Sequence, residues 1–354
     1  MNKKYVLKQR IINPCTPIYI SEERFHALNS AMTTLIDGLS FEQKYELLLG
    51  NFMALELEMT EICLNLQVMP TYSYKSSSAL IEKVNRCLVN LLTSMRGYSD
   101  QVVQDFKHLA PSLNFKDAAK NKLSNLWDTS ADYKLMYALR NHVQHKATAV
   151  HGFSGNDMSV SESESWVSRT MFTLTKETLE ADKDFKKSAL ENQPDKIDVR
   201  RLARASVRGL GAVHMQLRDI VQPSIEAART LVEGAIAGYL SAGNSSAAGL
   251  TIGVDDGTKS ARHIMLDWDD VRIDLALKNM RPPSLWPSRR PGEPSPEDVR
   301  RQRDEAGHSV AQAAKLIFVS EQRWRDYEEG LPMPKGLFQL YQIKAGLHPS
   351  HHLV

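Results

Sequence analysis

The chain has 354 residues, and 42% of them are apolar, which is enough to bury the cores of two or three domains. Its 44 basic residues nearly balance its 42 acidic residues, so the formal net charge is only +2. This balance excludes a global basic field that would attract nucleic acid, and any basic surface must be local.

The sequence indicates neither a disulfide framework nor a membrane segment. Cys15, Cys63 and Cys87 lack Cys-x-x-Cys spacing and fall in or beside apolar stretches, which is typical of reduced thiols in a cytoplasmic protein. The basic N-terminus is not followed by a continuous apolar segment, so no secretory signal is expected. Residues 234–254 carry no charge but contain five glycines, and we interpret them as a helix end continuing into a flexible linker.

The first two thirds of the chain have the pattern of a helical bundle. Apolar residues recur every three or four positions in 41–66, 80–95 and 202–220, as on the core-facing side of long helices. Pro223 is expected to interrupt the last helical pattern. The β-branched and aromatic residues of Trp166–Thr175 predict a short strand or hairpin. The predicted fold class is therefore mainly α, a helical bundle with a short β-hairpin followed by a small all-α domain.

Composition divides the chain into three predicted segments. The bundle is expected over residues 1–257, where a Gly/Ser-rich stretch ends it. Residues 258–294 contain one predicted helix near 268–277 and a semi-rigid linker rich in proline and arginine. Residues 295–354 form the small helical domain.

This small domain has the pattern of a helix-turn-helix module. Capping serines, helix formers and a closing Gly330 predict helices over 296–305, 310–316 and 321–329. Four polar side chains are expected to remain outside its core and to contact double-stranded DNA: Ser320, Gln322, Arg323 and Arg325. Arginine and glutamine can contact base edges with two hydrogen bonds, and a serine hydroxyl at a helix start can bind phosphate. A dimer would contact two half-sites.

The module contains a Val-Ser-x-x-x-Trp-x-x-Tyr-Glu-x-Gly core followed by Pro-Met-Pro, which stands here as Val319, Ser320, Trp324, Tyr327, Glu328, Gly330, Pro332, Met333 and Pro334. In this motif the module resembles the XRE family of bacterial and phage regulators. The turn glycine of the family is Phe318 in this chain. The resemblance implies DNA binding, and the alternative is that a module packed in this way serves only as a protein–protein adaptor.

A second motif, Arg-Asn-His-Val-Gln-His at 140–145, lies in a helix predicted over 132–146. Asn141 and His145 are four residues apart and share a helix face, which Arg140 can also reach. An imidazole beside a guanidinium suits metal-free RNA cleavage, since the imidazole can accept the proton of a ribose 2′-hydroxyl and the guanidinium can stabilise the phosphorane. Arg140, Asn141 and His145 are therefore the predicted catalytic residues.

This segment resembles the Arg-x4-6-His motif of the HEPN superfamily, including the polar residue directly after the arginine. The resemblance implies a homodimer in which two such helices form a composite RNA-cleaving site, with His142 as an accessory candidate. Spacing alone is not specific, because two other pairs show a similar gap: Arg208 with His214, and Arg303 with His308. The alternatives are a noncatalytic dimerising bundle and a chance match.

Together these patterns predict a cytoplasmic, homodimeric, metal-independent endoribonuclease in the style of bacterial toxin–antitoxin or phage-defence systems. Its helix-turn-helix domain would bind DNA or guide targeting, and a cognate inhibitor protein is a further expected partner. No cofactor, metal or membrane is expected. The alternative is a DNA-binding transcriptional regulator whose noncatalytic N-terminal domain dimerises or senses a ligand.

Overall fold

A computed structural model divides the chain into two compact units, residues 1–282 and 283–354. The structure describes residues 4–10, 16–69, 73–106, 109–110, 114–145, 148–155, 159–160, 166–167, 170–191, 193–255, 261–286 and 292–348. Cys15 lies outside these described residues. Each unit has its own hydrophobic core.

The first unit is mainly helical, so the predicted fold class is confirmed. Its helices are α1 (Glu22–Val68), α2 (Tyr74–Gln104), α3 (Phe115–Thr129), α4 (Ala131–His145), α5 (Lys176–Ala181), α6 (Val199–Ser241) and α7 (Asp269–Lys278). Its strands are β1 (Tyr5–Gln9), β2 (Ile18–Ile20), β3 (Gly152–Gly155), β4 (Ser159–Val160), β5 (Trp166–Val167), β6 (Thr170–Thr175), β7 (Lys196–Asp198), β8 (Leu250–Val254) and β9 (Ala261–His263). The strand or hairpin predicted over Trp166–Thr175 is present as β5 and β6.

The core of this unit follows α1, which packs against α2 and α6. The helix begins after Ser21, whose Oγ accepts a hydrogen bond from the backbone N–H of Arg24 at 3.1 Å. Glu22 and Glu23 then lie at the positive end of the helix dipole. Side chains of α1 are buried every three or four residues, as the sequence pattern predicted: Tyr45, Leu48, Phe52, Leu55, Met59 and Ile62.

Helix α6 is continuous through Pro223, so the interruption predicted at this residue is wrong. A proline inside a helix removes one hydrogen bond and costs about 3 kcal/mol. Leu217, Val221 and Ile225 are nevertheless buried on either side of it. Their burial holds this part of α6 in the core, and packing outweighs the local preference of proline.

The linker predicted near residues 241–257 is not a free linker, because it contains β8. This strand pairs antiparallel with β1 and β9 in a sheet of order β2-β1-β8-β9, and Leu250 and Ile252 are buried in the core. A second sheet has the order β3-β6-β7. Helix α7 packs against α1, so the first unit continues to residue 282, past the boundary predicted at 257.

The second unit contains the three predicted helices with their predicted bounds, and these predictions are confirmed. They are α8 (Pro296–Glu305), α9 (Val310–Leu316) and α10 (Glu321–Glu329), followed by α11 (Lys335–Lys344). Trp324 is fully buried, and its ring centroid lies 4.6 Å from that of Tyr341. None of the helices in the described ranges is both long and apolar enough to cross a membrane.

Candidate functional site

Helix α4 positions the Arg-Asn-x-x-x-His segment at its C-terminal end. Leu135, Met136 and Leu139 are fully buried and fix the helix against the core, as the sequence predicted. Arg140 and Asn141 follow immediately, Arg140 half-buried and Asn141 exposed. The backbone of His145 ends the helix, but its side chain lies outside what the structure describes, so the predicted role of His145 stays a prediction.

Only some of the hydrogen-bond donors of the Arg140 guanidinium have a partner among the described residues. Its Nη1 donates a hydrogen bond to Oδ1 of Asn141 at 3.3 Å, whereas its Nε is buried and has no hydrogen-bond partner among the described residues. No carboxylate in that part of the chain forms an ion pair with Arg140. A buried donor without a partner costs about 1–3 kcal/mol, so the Nε of Arg140 is a costly group that the described part of the unit leaves unpaired.

His142, only an accessory candidate in the sequence, is the most constrained titratable group at this site. The residue is 8% exposed, and its Nδ1 lies 2.8 Å from Oδ2 of Asp182, the residue directly after α5. An ionised carboxylate only accepts hydrogen bonds. The proton of the hydrogen bond between His142 and Asp182 therefore lies on Nδ1 of His142. Nε2 then has the free lone pair in the neutral ring, and this buried atom has no partner within the described ranges.

Asn141 and His142 line a cavity of about 350 Å³, which we call the α4 pocket. Its other lining residues are Trp127, Tyr137, Ala138, Asp182, Asp184, Phe185 and Lys186. Nζ of Lys186 lies 4.6 Å from the ring centroid of Trp127, and the ring of Tyr137 meets Trp127 edge-on at 5.0 Å. Aromatic walls, one lysine and convergent polar groups in a pocket of this size suit a ligand with the dimensions of a nucleotide.

His151 is electrostatically coupled to this site. Its Nδ1 accepts a hydrogen bond from the backbone N–H of Thr175 at 3.0 Å, and its Nε2 is buried with no partner in the described part of the chain. Burial lowers the pKa of His151 below its ordinary value, and the charge of His142 lowers it further. Burial therefore favours the neutral form of His151.

The two other Arg/His pairs of similar spacing occupy structural positions. His214 is fully buried between the rings of Phe41 and Tyr45, with centroid distances of 4.4 and 4.0 Å. Its Nδ1 forms a hydrogen bond with the hydroxyl of Tyr98 at 2.9 Å, and its Nε2 forms one with Glu42 at 3.2 Å. This ring is therefore enclosed by its own core and is not open to a substrate.

The side chains of Arg303 and His308, the pair in the second unit, also form contacts within their own unit. Nε of Arg303 donates to Glu328 at 2.5 Å, and Nδ1 of His308 lies 3.0 Å from the hydroxyl of Tyr341. Among the three Arg/His pairs, only Arg140 has a buried nitrogen without a partner in the described residues. Environment, and not spacing, distinguishes the segment at 140–145.

The four residues predicted to bind DNA lie together on the first turns of α10, but most of their polar atoms are used within the helix. Oγ of Ser320 caps α10 by accepting from the backbone N–H of Arg323 at 3.1 Å. Gln322 donates to Asp326 at 2.9 Å, and Arg325 pairs with Glu321 at 3.2 Å. Only the guanidinium of Arg323 has no ion pair with another described residue.

Within the described ranges, no group of three or more His, Cys, Asp or Glu side chains is arranged to hold a metal ion. Comparison with known proteins gives no match to this chain, whether among protein-family models, curated proteins or solved structures.

Proposed function

We propose that this chain is a metal-independent endoribonuclease whose site lies at the end of α4. The observation that carries the proposal is the α4 pocket, where a buried His142–Asp182 pair and Asn141 meet an aromatic wall. Arg140 lines a neighbouring smaller cavity and is joined to the pocket by its hydrogen bond to Asn141 at 3.3 Å. A base, a cation for phosphate and a cavity that admits one unstacked nucleotide are the groups that transesterification of RNA requires.

In this reaction a histidine accepts the proton of the ribose 2′-hydroxyl, and the 2′-oxygen forms a bond to phosphorus. The bond from phosphorus to the 5′-oxygen then breaks, and the leaving oxygen takes a proton, so the products are a 2′,3′-cyclic phosphate and a 5′-hydroxyl. His145 is the base that the sequence motif implies. His142, oriented by Asp182, is a second candidate base or proton donor, and Arg140 would stabilise the additional negative charge on the phosphorane.

Metal-free cleavage of end-labelled RNA tests this proposal. Purified wild type and His145→Ala are incubated with RNA and EDTA, and the fragments are examined for cyclic phosphate ends. His26→Ala is the matched control, because His26 is an exposed histidine on α1. The proposal predicts discrete fragments from wild type and from the control but not from His145→Ala. Intact RNA with folded wild type would make the first unit a scaffold or sensor.

A second candidate function is that of a DNA-binding regulator, which the position of Arg323 favours. This guanidinium lies on the first turn of α10 with no ion pair to a described residue, whereas Gln322 and Arg325 are engaged. A side chain free to reach a base edge is worth about 1–3 kcal/mol of sequence discrimination.

This alternative is tested by selecting duplexes from a random library and measuring their binding at two salt concentrations. Sequence-specific, salt-sensitive binding that is lost in Arg323→Ala and retained in Arg86→Ala would support it. Arg86 is an exposed arginine on α2 and serves as the charge-matched control. If wild type also fails to cleave RNA, DNA binding becomes the main activity of the protein.

A further inference from the structure

The C-terminal half of α1 is apolar on its outer side as well as on its core side. Five large apolar side chains are exposed there: Leu47 (59%), Met53 (51%), Leu57 (64%), Leu64 (57%) and Val68 (71%). Exposed apolar side chains that are grouped on one face of a helix often mark an interaction surface. Nothing in the described part of the chain covers this second face.

The exposed positions follow a regular repeat. Steps of three and four residues alternate along one stripe: Leu47, Gly50, Ala54, Leu57, Glu61, Leu64 and Val68. We call this set the outer stripe. Leu48, Leu55 and Ile62 face the core on the opposite side of the helix. Alternating steps of three and four are the pattern by which one helix packs along another, so the outer stripe has the form of a helix-pairing seam.

Gly50 supports this interpretation. A Cβ at Gly50 would meet no atom within 4 Å, so the packing of the unit itself does not require a glycine. Glycine in the middle of a helix costs about 1 kcal/mol relative to alanine. Small residues on a helix face permit close approach of a second helix, and Gly50 and Ala54 lie four residues apart on the stripe.

The carboxylates on both sides of the outer stripe are paired with basic side chains of the same unit. Glu58 pairs with Lys83 at 3.5 Å and with Arg86 at 3.8 Å, and these residues belong to α2. Glu56 pairs with Arg204 of α6 at 2.6 Å. Within the outer stripe itself Glu61 is the one charged residue and none is basic, so the stripe favours an apolar helix over nucleic acid as its partner.

We infer that the outer stripe pairs with the same stripe of a second copy of this chain, with the two α1 helices antiparallel. A parallel pair would place Glu61 next to the partner's Glu61 and would leave a void between two copies of Gly50. An antiparallel pair related by a two-fold axis near residues 55–56 avoids both problems.

In that register large and small residues face one another. Leu47 meets the partner's Leu64, Ala54 meets the partner's Leu57, and Glu61 passes over the partner's Gly50 towards solvent. On the borders of the seam Asn51 faces the partner's Glu58, and no two like charges meet. The sizes and charges of the facing side chains therefore favour a second copy of this chain in the antiparallel orientation.

Light scattering coupled to size exclusion measures the mass of the assembly. Leu57→Asp should halve the mass of full-length wild type and leave the helical circular dichroism unchanged, because Leu57 is exposed. Leu277→Asp is the matched control, since Leu277 is also a leucine, 58% exposed, on α7. A monomeric wild type, or a mass that Leu57→Asp does not change, would overturn the inference.

Cross-linking tests the orientation independently of any folding defect. In a background in which Cys15, Cys63 and Cys87 are serine, Leu47→Cys protein is mixed with Leu64→Cys protein under oxidation. Antiparallel pairing predicts disulfide-linked dimers in the mixture and few in either protein alone, because two copies of residue 47 would lie about 25 Å apart. Linked dimers in each protein alone, or none in the mixture, contradict the proposed pairing. This inference does not depend on ribonuclease activity.

Discussion

Polar groups around His142 and the C-terminal end of α4 have unfilled hydrogen-bonding positions, whereas those around α10 are mostly used within their own unit. Nε of Arg140 and Nε2 of both His142 and His151 are buried without a partner in the described residues. Around α10, Glu328 accepts from both Arg303 and Trp324, and Gln322 is bonded to Asp326. Because buried unpaired groups are costly, the first arrangement is expected of a ligand site and the second of a stable scaffold.

The largest predicted effect is the loss of stability of the second unit in Trp324→Ala. Removing a fully buried tryptophan from a small core costs about 3–5 kcal/mol, which is comparable to the whole stability of a unit of this size. We expect the second unit to unfold while the first keeps its long helices. Limited proteolysis with mass spectrometry should therefore recover the first unit intact, and joint loss of both units would show that they do not fold independently.

Next in size is the effect of Asp182→Asn on RNA cleavage. The amide can present an NH₂ group to Nδ1 of His142, which favours the wrong tautomer and removes the charge that stabilises the imidazolium. We expect cleavage to fall about 10²-fold, with little change in thermal stability. Asp184→Asn, a neighbouring lining residue outside the pair, is the control. Equal loss in both variants would argue against a special His142–Asp182 pair.

The first unit should lose stability as the pH falls below about 6.5. Burial lowers the pKa of His214 from its ordinary 6.5, although Glu42 opposes this shift, and burial also lowers the pKa of His151. The unfolded chain therefore binds protons that the folded chain does not, so this stability is present above pH 6.5 and is lost on acidification.

Urea unfolding at pH 7.5 and 5.5 measures this loss. The midpoint should be lower at pH 5.5, and His214→Gln should reduce the difference between the two midpoints. His26→Gln should leave that difference unchanged. Glu42 does not contribute in this range, because its pKa lies below its ordinary 4.5; burial raises it, but hydrogen bonds from His214 and Arg218 outweigh burial. An unchanged midpoint between pH 7.5 and 5.5 would contradict the assignment of His214.

The smallest predicted effect concerns the turn between α9 and α10. Phe318 has a φ of +58° and is 83% exposed, and Nζ of Lys344 lies 4.1 Å from its ring centroid. Both Phe318→Gly and Phe318→Ala remove the ring, but only glycine relieves the left-handed backbone. Phe318→Gly should therefore be more stable than Phe318→Ala by about 1 kcal/mol in urea unfolding. Equal stability would indicate that this turn is not strained.

Local sequence patterns predicted the helices well, because an apolar residue every three or four positions and a capping serine are local signals. The bounds of α8, α9 and α10 follow from such signals. The continuity of α6 through Pro223 and the pairing of β8 with β1 depend on tertiary packing, which sequence periodicity does not contain.

The candidate site shows the same limit. Arg140, Asn141 and His145 were found as a local motif, but the contact of His142 with Asp182 joins residues 40 positions apart. No local pattern predicts that contact. The outer stripe could have been predicted from its steps of three and four residues. The stronger apolar repeat on the opposite side of α1, which faces the core, is the only one that the sequence prediction considered.

Metal-free cleavage of RNA by wild type, Arg140→Ala and Arg86→Ala tests the central proposal most directly, since each variant removes one arginine and only the first removes one that is bonded to Asn141 of the α4 pocket. The proposed ribonuclease activity predicts cyclic phosphate fragments in EDTA from wild type and Arg86→Ala, and at least about 10²-fold less from Arg140→Ala. Equal cleavage by Arg140→Ala, or intact RNA with all three folded proteins, would contradict it.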